Sequence, residues 1–446
     1  MSERTSIGRR QFLKTGAAGV LGAGLAGPGR AAQAAAGAGA AEAPGTGKIK
    51  EYRVLGRTGF KVSDVGFGGA DLQEPELFQA AVDAGITYFD VAEHYGRGAA
   101  ERAIGDALKR GSVDRKSIFI TTKLNISRGE QTKETVKDRA VKCLERLGSD
   151  YVDCLQIHMV PTVEQVGHEG YHAAIRELKA EGKVRFSGLS CHGSQYGEVP
   201  VSMEDIVLAA AEDGRFDVAL FVYNFLQAEQ GERILKACKA KGMGATLMKA
   251  NPVIEYRDLT AMAEEARQAG KEVPPQMAKM LDLYKSRADA SEGFKKKYGL
   301  TSFEQVRAAA IRFGLSHPDV HSSCPSITNF SDLEAYVALS GTKLEPAEGR
   351  MLADYGELQG RFYCRHACGV CESRCPHGVP VNTIMRYNHY FVSQHRERRA
   401  MVKYAEMSAA KADRCAGCAG PCETACPHGV PVQGLLIGAH KRLTLA

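Results

Sequence analysis

The chain has 446 residues, of which 44% are apolar and 25% are charged, and its formal net charge is +6. This composition is that of an ordinary globular protein and excludes a disordered, collagen-like or small disulfide-stabilised chain. Much of the excess positive charge lies in residues 1–34 and the remainder is nearly balanced, so nucleic acid is not expected as a partner. Eight of the 13 cysteines lie within residues 364–426, which indicates a metal-binding module.

Residues 1–34 have the features of an export signal. A polar start that contains Arg9 and Arg10 is followed by a weakly apolar stretch rich in glycine and alanine. After it comes an Ala-Gln-Ala sequence that suits a signal-peptidase cleavage site. This pattern resembles a twin-arginine signal, which implies export of the folded protein by the twin-arginine machinery to a periplasmic or other extracytoplasmic location. A disordered basic tail is the alternative. Residues 35–50 predict a flexible linker, and since no later stretch reaches transmembrane length, no stable membrane span is expected after cleavage.

Short β-branched runs alternate with longer helical patterns over residues 51–345, which predicts an α/β fold with a parallel sheet. Eight such repeats favour a closed (β/α)₈ TIM barrel. A doubly wound open sheet is the alternative, but no G-x-G-x-x-G sequence follows the first predicted strand. Residues 52–63, with Gly59 near the turn, predict a hairpin that closes the barrel floor. The strands are predicted near residues 65–67, 88–90, 118–120, 152–157, 184–187, 218–222, 245–248 and 320–322, and helices at 99–109, 133–147 and 170–179.

Polar side chains follow three consecutive predicted strands. Asp90, Lys123 and His158 close these strands, and Tyr95 follows Asp90 in its loop. Each alone has a structural explanation, as an ion pair, a core histidine or a loop anchor. Because the carboxyl ends of barrel strands meet at one rim, the four together predict a proton-transfer site. We expect Asp90 to hold the Lys123 ammonium, Lys123 to lower the pKa of Tyr95, and neutral His158 to donate a hydrogen bond to a carbonyl oxygen.

Around these residues the sequence resembles the aldo-keto reductases. The resemblance implies reduction of a small carbonyl compound, or oxidation of an alcohol, with Tyr95 as the acid and NADP(H) as the hydride carrier. It further implies that Ser190, Asn224 and Lys249 bind the cofactor. The residues that carry the likeness are 55–59, 89–92, 95–96, 101, 105, 108, 122–123, 156–158, 182–185, 188–190 and 223–224.

Some positions depart from the aldo-keto reductase pattern on the cofactor side. Cys191 and His192 follow Ser190 where the family commonly has an asparagine, and Leu220 stands where it commonly has a glutamine. Residues 324–329 lack the Lys and Arg with which many members hold a 2′-phosphate. These departures favour an alternative in which the barrel binds a ligand without nicotinamide chemistry.

The eight clustered cysteines form two repeats, and both end in Cys-Pro-His-Gly-Val-Pro-Val. Four cysteines per repeat, with proline after the last, are close to the bacterial ferredoxin spacing. The pattern resembles the α-helical two-cluster ferredoxins and implies two [4Fe–4S] clusters in residues 346–446, with a helix over 382–408. Since the fourth cysteine of each repeat binds the other cluster in such proteins, the expected ligand sets are Cys364, Cys368, Cys371 and Cys426, and Cys415, Cys418, Cys422 and Cys375.

There are three alternative uses for these cysteines. Two zinc sites suit four thiolates each, but the Cys-Pro ending favours iron and sulfur. Disulfides would form after export, but two equal repeats favour ligation. A radical enzyme that uses S-adenosylmethionine shares the spacing from Cys364 to Cys371, but its motif lies near the start of the barrel.

The sequence therefore predicts an exported iron–sulfur oxidoreductase of the aldo-keto reductase type, with a redox partner protein. One chemical conflict accompanies this prediction. A nicotinamide transfers two electrons as hydride, whereas each cluster transfers one, and no flavin site is recognisable in the sequence. The alternative is an electron-transfer iron–sulfur protein whose barrel binds a substrate or a partner.

Overall fold

A computed structural model describes residues 47–127, 131–193, 201–254, 275–366, 368–394 and 396–444. The predicted export signal and most of the predicted linker lie outside these residues. Residues 46–446 form one compact unit. Within the described residues, no helix is both long enough and apolar enough to cross a membrane.

Eight parallel strands form the central sheet, and each pairs with the next in chain order. Parallel bridges between Val65 and Ser323 and between Gly68 and Ser326 join the first strand to the last, so the sheet closes. The (β/α)₈ prediction is confirmed, and all eight strands lie within a few residues of their predicted positions. They are β3 (Phe67–Gly68), β4 (Tyr88–Asp90), β5 (Phe119–Leu124), β6 (Val152–Ile157), β7 (Val184–Cys191), β8 (Val218–Val222), β9 (Gly244–Met248) and β10 (Ser322–Ser323).

The predicted hairpin is formed by β1 (Tyr52–Val54) and β2 (Lys61–Ser63), which pair antiparallel. Gly59 has φ 71°, a left-handed conformation that glycine adopts without strain. Leu55 contacts the backbone start of β9, and the ring of Phe60 lies 5.5 Å from that of Phe119 at the start of β5. The hairpin therefore covers the amino-terminal end of the barrel and leaves the carboxyl ends of the strands for chemistry.

Helices surround the sheet and bury apolar faces against it. In α3, Thr132 caps the first turn by accepting a hydrogen bond from the Thr135 amide, and Gly148 ends the helix with φ 57°. The helices around the sheet are α1 (Pro75–Asp83), α2 (Ala99–Lys109), α3 (Lys133–Leu147), α4 (Glu169–Ala180), α5 (Met203–Asp213), α6 (Ala228–Ala240), α8 (Glu304–Ser316) and α9 (Phe330–Val337). A further helix, α7 (Pro275–Tyr298), lies against helices of the C-terminal part.

The C-terminal part is helical and has its own apolar core. The single helix predicted over 382–408 is wrong: Arg396 has φ −115° and ψ 50°, which separates two helices. The described helices here are α10 (Pro346–Gln359), α11 (Val381–Gln394), α12 (Glu397–Ala405), α13 (Pro421–Thr424) and α14 (Val432–Leu443).

The two cysteine repeats form equivalent local structures. The side chain of Glu372 accepts a hydrogen bond from the Asn382 amide, and the side chain of Glu423 accepts one from the Gln433 amide. These pairs stand 51 residues apart, which is the interval between the repeats. Each pair links its cysteine segment to the start of the following helix.

The C-terminal helices lie over the carboxyl ends of the barrel strands. The side chain of Gln227, which follows β8, makes two 2.9 Å hydrogen bonds with the backbone of His366. Arg396 forms an ion pair of 2.9 Å with Asp71, which follows β3. These contacts place the C-terminal part over the barrel mouth.

Candidate functional site

The polar residues predicted at the strand ends meet at the barrel mouth. Asp90, Tyr95 and His158 line a cavity of about 780 Å³, within the usual size range of small-molecule sites. Lys123 lies beneath them and is fully buried. Parallel strands bring these side chains together because the carboxyl ends of β4, β5 and β6 are adjacent at one rim.

Lys123 is held at the centre of this group. Its ammonium donates hydrogen bonds to Asp90 Oδ1 at 2.5 Å and to the Val91 carbonyl oxygen at 2.7 Å. It lies 5.2 Å from the ring centroid of Tyr95. Burial lowers the pKa of Lys123, but the negative charge of Asp90, the Tyr95 phenol and the hydrogen bond to Asp90 together outweigh burial and raise that pKa above its usual value. Lys123 therefore carries a positive charge at neutral pH.

The Tyr95 phenol differs in one respect from the expectation. Burial raises the pKa of Tyr95, and the opposing effect of the Lys123 ammonium is smaller than that of burial. The expected net decrease of the Tyr95 pKa is therefore not found, because the extent to which the phenol is desolvated cannot be read from the sequence. A phenol that stays protonated at neutral pH is the form that donates a proton.

His158 lies beside Tyr95 with its ring centroid 5.6 Å away and its plane at 81° to the phenol. Its side chain is 4% exposed, and Nδ1 has no hydrogen-bond partner among the described residues. Burial, reinforced by the charge of Lys123, holds the pKa of His158 well below its usual value. A neutral imidazole that is free to donate a hydrogen bond therefore lies next to the phenol. His94, which the sequence reasoning did not select, stacks on it with ring centroids 4.5 Å apart.

The three residues expected to bind a cofactor are placed differently from one another. Ser190 accepts a hydrogen bond from the Met159 amide at 3.0 Å, and Asn224 donates one to the Lys249 carbonyl oxygen at 3.1 Å. Both side chains are buried and neither lines the cavity, whereas Lys249 does. Lys249 has φ 57°, a conformation that costs energy for a residue other than glycine. The Asn224 side chain therefore holds the backbone of Lys249, and the Lys249 side chain extends from there into the cavity.

Two of the residues that depart from the aldo-keto reductase pattern lie on the cavity wall. His192 and Leu220 line it, whereas Cys191 is fully buried behind them. The Lys249 ammonium lies 3.2 Å from both ring nitrogens of His192. The ring of His192 also lies 5.4 Å from that of His366 in the C-terminal part.

The sequence reasoning missed a set of C-terminal residues that complete the cavity. They lie more than 200 residues from the strand-end residues in sequence, and no motif marks them. Only the docking of the C-terminal part over the barrel mouth brings them to the site. The set comprises His366, Arg386, Tyr390, Arg399 and Lys403.

The eight clustered cysteines fall into two neighbourhoods. Cys364, Cys368, Cys371 and Cys426 line one small cavity. Burial raises the pKa of the Cys364 thiol to about 12, and the nearby sulfurs of Cys368 and Cys426 act in the same direction.

The second neighbourhood contains Cys415, Cys422, Cys375 and Cys418. Burial raises the pKa of the Cys415 thiol to about 12, with the other three sulfurs adding to the effect. Each neighbourhood thus combines three cysteines of one repeat with the last cysteine of the other. As they stand, no three His, Cys, Asp or Glu side chains among the described residues are close enough to hold one metal ion.

Amide groups point at several of these sulfurs. Val379 and Val430 occupy equivalent positions in the two repeats, and their backbone amides lie 3.4 Å from the Sγ atoms of Cys375 and Cys426. The side-chain amide of Asn382 lies 3.4 Å from Cys364 Sγ. Asn382 also lines the barrel cavity, so one side chain borders both sites.

Comparison with known proteins identifies the barrel. The model of the Aldo/keto reductase family matches residues 69–355, which is more than half of the chain. The chain belongs to the aldo-keto reductase family. It is an oxidoreductase, and all four strand-end residues lie inside the matched region.

Relatives of this aldo-keto reductase come from plants, bacteria and fungi. L-galactose dehydrogenase of Arabidopsis thaliana is 28% identical over 310 residues, covering 66% of this chain and 89% of the relative. Probable aldo-keto reductase 1 of Glycine max is 27% identical over 340 residues, covering 69% and 91%. The solved structure of a holo aldo-keto reductase from Bacillus halodurans is 20% identical with a TM-score of 0.47, covering 69% of this chain and 96% of that one.

Proposed function

We propose that this aldo-keto reductase is an exported iron–sulfur oxidoreductase. In this proposal, residues 51–345 form the barrel that interconverts a small carbonyl compound and its alcohol. Residues 346–446 hold two [4Fe–4S] clusters and exchange electrons with a redox partner protein. The observation that carries the carbonyl chemistry is the contact of the buried Lys123–Asp90 pair and neutral His158 with the Tyr95 phenol.

The residue roles follow from charge and geometry. Neutral His158 donates a hydrogen bond to the carbonyl oxygen and orients it. The protonated Tyr95 phenol then gives its proton to that oxygen, and the positive charge of Lys123 stabilises the phenolate that remains. Asp90 keeps Lys123 in position through the 2.5 Å ion pair. NADP(H), which the family generally uses, would supply hydride to the carbonyl carbon when bound beside these residues.

The cavity suits a dinucleotide in some respects. Its volume of about 780 Å³ accommodates a large ligand, and Lys249 presents to it an amino group that can donate hydrogen bonds to a phosphate. The side chains of Ser190 and Asn224 already make hydrogen bonds with the backbone. To contact a cofactor as well, the Ser190 hydroxyl or the Asn224 amide would have to bind the backbone and the cofactor at once. Lys249 is therefore the residue of the three for which we propose direct cofactor contact.

The iron–sulfur proposal is supported by the arrangement of the cysteine sulfurs. Their two neighbourhoods correspond to the ligand sets expected for two-cluster ferredoxins, in which each cluster takes one cysteine from the other repeat. Amide groups directed at sulfur favour the reduced form of such a cluster, because reduction adds negative charge to it. A [4Fe–4S] cluster supplies one-electron transfer when bound.

The proposed location follows from the twin-arginine-like sequence of residues 1–34. Twin-arginine export carries folded proteins, which suits a chain whose cofactors are inserted in the cytoplasm. We therefore propose a periplasmic or other extracytoplasmic location. Mass determination of the N-terminus of the exported protein tests it, since retention of residues 1–34 in the cytoplasm would contradict the proposal.

One observation favours a second candidate function. His192 and Leu220 occupy the cavity wall, and the Lys249 ammonium contacts His192 at 3.2 Å. If this wall excludes the nicotinamide, the protein is an electron-transfer iron–sulfur protein whose barrel binds a substrate or partner.

Replacement of the phenol separates the two candidates. With 4-nitrobenzaldehyde and NADPH as probes, Tyr95→Phe in the full chain with intact clusters is expected to lose carbonyl reduction by at least about 100-fold. Reduction of the clusters by dithionite is expected to be unchanged. Tyr52→Phe, which removes an exposed phenol at the opposite end of the barrel, is the matched control. Full turnover in Tyr95→Phe would show that the proton-donor role is wrong.

A further inference from the structure

The cavity between the barrel and the C-terminal helices has a concentration of positive charge. Lys249 enters it from the end of β9, and Arg386 enters from α11. Arg399 and Lys403 enter from α12, one helical turn apart. These four cations face a single space at the barrel mouth, although they come from three different elements.

The carboxylates of the cavity wall are largely occupied elsewhere. Asp90 pairs with Lys123, and Glu304 pairs with Arg307. Asp71 is shared by Arg396 and Arg399. Among the ion pairs of the described residues, these carboxylates are joined to Lys123, Arg307, Arg396 and Arg399 and not to Lys249, Arg386 or Lys403. The charges of Asp71 and Glu406 still act on Lys403 from a greater distance.

Arg386 is the most deeply placed of these cations. Its side chain belongs to a residue only 7% exposed, and Nε has no hydrogen-bond partner among the described residues. Its guanidinium donates one hydrogen bond, to the Tyr363 hydroxyl at 3.3 Å. Cys364, a proposed cluster ligand, lies on one side of Arg386. A buried cation with no carboxylate partner on its cavity side is costly, so the protein gains from a ligand that places negative charge there.

Two further observations, on Lys249 and His366, also favour a negatively charged ligand in the cavity. Burial, together with the positive charges of Arg386, Arg399 and Lys403, holds the pKa of Lys249 well below its usual value. Both ring nitrogens of His366, which lies on the same wall, lack a hydrogen-bond partner in the described part of the chain. An anionic group at this position would reduce the repulsion among the cations and accept a hydrogen bond from the one ring nitrogen of neutral His366 that carries a proton.

We infer that the cavity binds a ligand with a carboxylate or phosphate group, held between Lys249 of the barrel and Arg386 and Lys403 of the C-terminal helices. The reacting end of that ligand lies at Tyr95 and His158, a placement that rests on the proposed function. The region matched by the family model ends at residue 355, before α11 and α12 begin. Recognition of the anion thus depends on a segment that the family barrel itself does not contain.

Calorimetric titration of the full chain with intact cofactors tests the inference without using turnover. The probes are 4-carboxybenzaldehyde, uncharged benzaldehyde and inorganic pyrophosphate at low ionic strength. We expect 4-carboxybenzaldehyde or pyrophosphate to bind roughly tenfold or more tightly than benzaldehyde, and salt to weaken this binding. Equal binding of both aldehydes, with no binding of pyrophosphate, would overturn the inference.

Variants then locate the anion. Lys403→Gln and Arg386→Gln are each expected to weaken binding of the charged probe by roughly tenfold, with benzaldehyde unaffected. Lys403 lies on the side of α12, so its variant is available if Arg386→Gln fails to fold. Lys411→Gln makes the same charge change outside the cavity wall and is the matched control. Charged-probe affinity that is equal in the wild type and in Lys403→Gln would contradict the placement.

The same titration distinguishes the two sources of the anion. If saturating NADP⁺ leaves the advantage of 4-carboxybenzaldehyde intact, the anion belongs to the substrate. If NADP⁺ abolishes that advantage and Lys403→Gln weakens NADP⁺ binding, the cations hold the phosphates of the dinucleotide. Anion binding in a protein that reduces no carbonyl would refute the proposed function while leaving this inference standing.

Discussion

The Lys123 ammonium lies 5.2 Å from the centroid of the Tyr95 ring, close enough for its charge to act on the phenol. Burial raises the pKa of Tyr95, and Lys123 opposes that effect. The same ammonium is fixed by the carboxylate of Asp90. A desolvated phenol beside a fixed cation is suited to donate a proton to a substrate and to be stabilised as the phenolate afterwards.

Removal of this cation is expected to impair the proton transfer. In Lys123→Met, kcat for 4-nitrobenzaldehyde reduction should fall by roughly 100-fold or more, because the phenolate loses its counter-charge. The pKa of Tyr95 rises further when the opposing charge is lost, so any alkaline limb of the pH profile should move to higher pH. A steady-state pH profile measures both effects, and unchanged kcat would contradict the role of Lys123.

His158 is expected to be neutral throughout the working pH range. Since burial holds its pKa well below the usual value, protonation begins only at a pH below that of an ordinary histidine. The rate should therefore show no histidine titration between about pH 6 and about 8. His158→Gln retains a donor and should keep more activity than His158→Phe. An inflection within this range that disappears in His158→Gln would contradict a neutral His158.

In the proposed ligand sets, each cluster takes three cysteines from one repeat and the last cysteine of the other. This arrangement leads to a prediction for double variants. Cys364→Ala with Cys426→Ala removes two ligands of one proposed cluster, so about four iron atoms per chain should remain. Cys364→Ala with Cys375→Ala removes one ligand from each cluster and should lower the iron content of both. Iron and sulfide analysis with electron paramagnetic resonance measures the outcome. If instead the first pair loses both clusters and the second pair keeps one, each repeat binds its own cluster.

Asn382 and Gln433 occupy equivalent positions in the two repeats, and variants of both test whether an amide at sulfur changes the reduction potential of a cluster. The Asn382 side-chain amide donates to the Arg365 carbonyl oxygen at 2.6 Å and also lies 3.4 Å from Cys364 Sγ. That of Gln433 donates to the carbonyl oxygens of Cys415 and Cys418. Because reduction adds negative charge, loss of an amide at sulfur should make the potential of that cluster more negative. A redox titration should show this shift for one cluster in Asn382→Leu and a smaller shift in Gln433→Leu. Equal shifts in both variants would show that the contact with sulfur is not the cause.

The barrel was largely predictable because its signals are local. The strands β6 and β8 and the helices α2 and α3 have the predicted bounds, since the apolar pattern that defines each of them lies within its own segment. The convergence of Asp90, Lys123 and His158 followed from the geometry of parallel strands.

The cavity wall was not predictable because it depends on docking between distant segments. Arg386 and Lys403 reach the barrel mouth only through contacts such as that between Gln227 and His366. The break at Arg396 that separates α11 from α12 has no glycine or proline signal in the sequence. The net direction of the Tyr95 pKa likewise depends on burial, which the sequence does not show.

An anaerobic NADPH titration of the full chain with intact clusters, followed by electron paramagnetic resonance, tests the central claim most directly. We expect signals of reduced clusters to grow as stoichiometric NADPH is added, which would join nicotinamide oxidation at the barrel to the C-terminal cysteines. If NADPH neither binds nor reduces the clusters, the carbonyl reductase proposal is contradicted and the electron-transfer function is favoured.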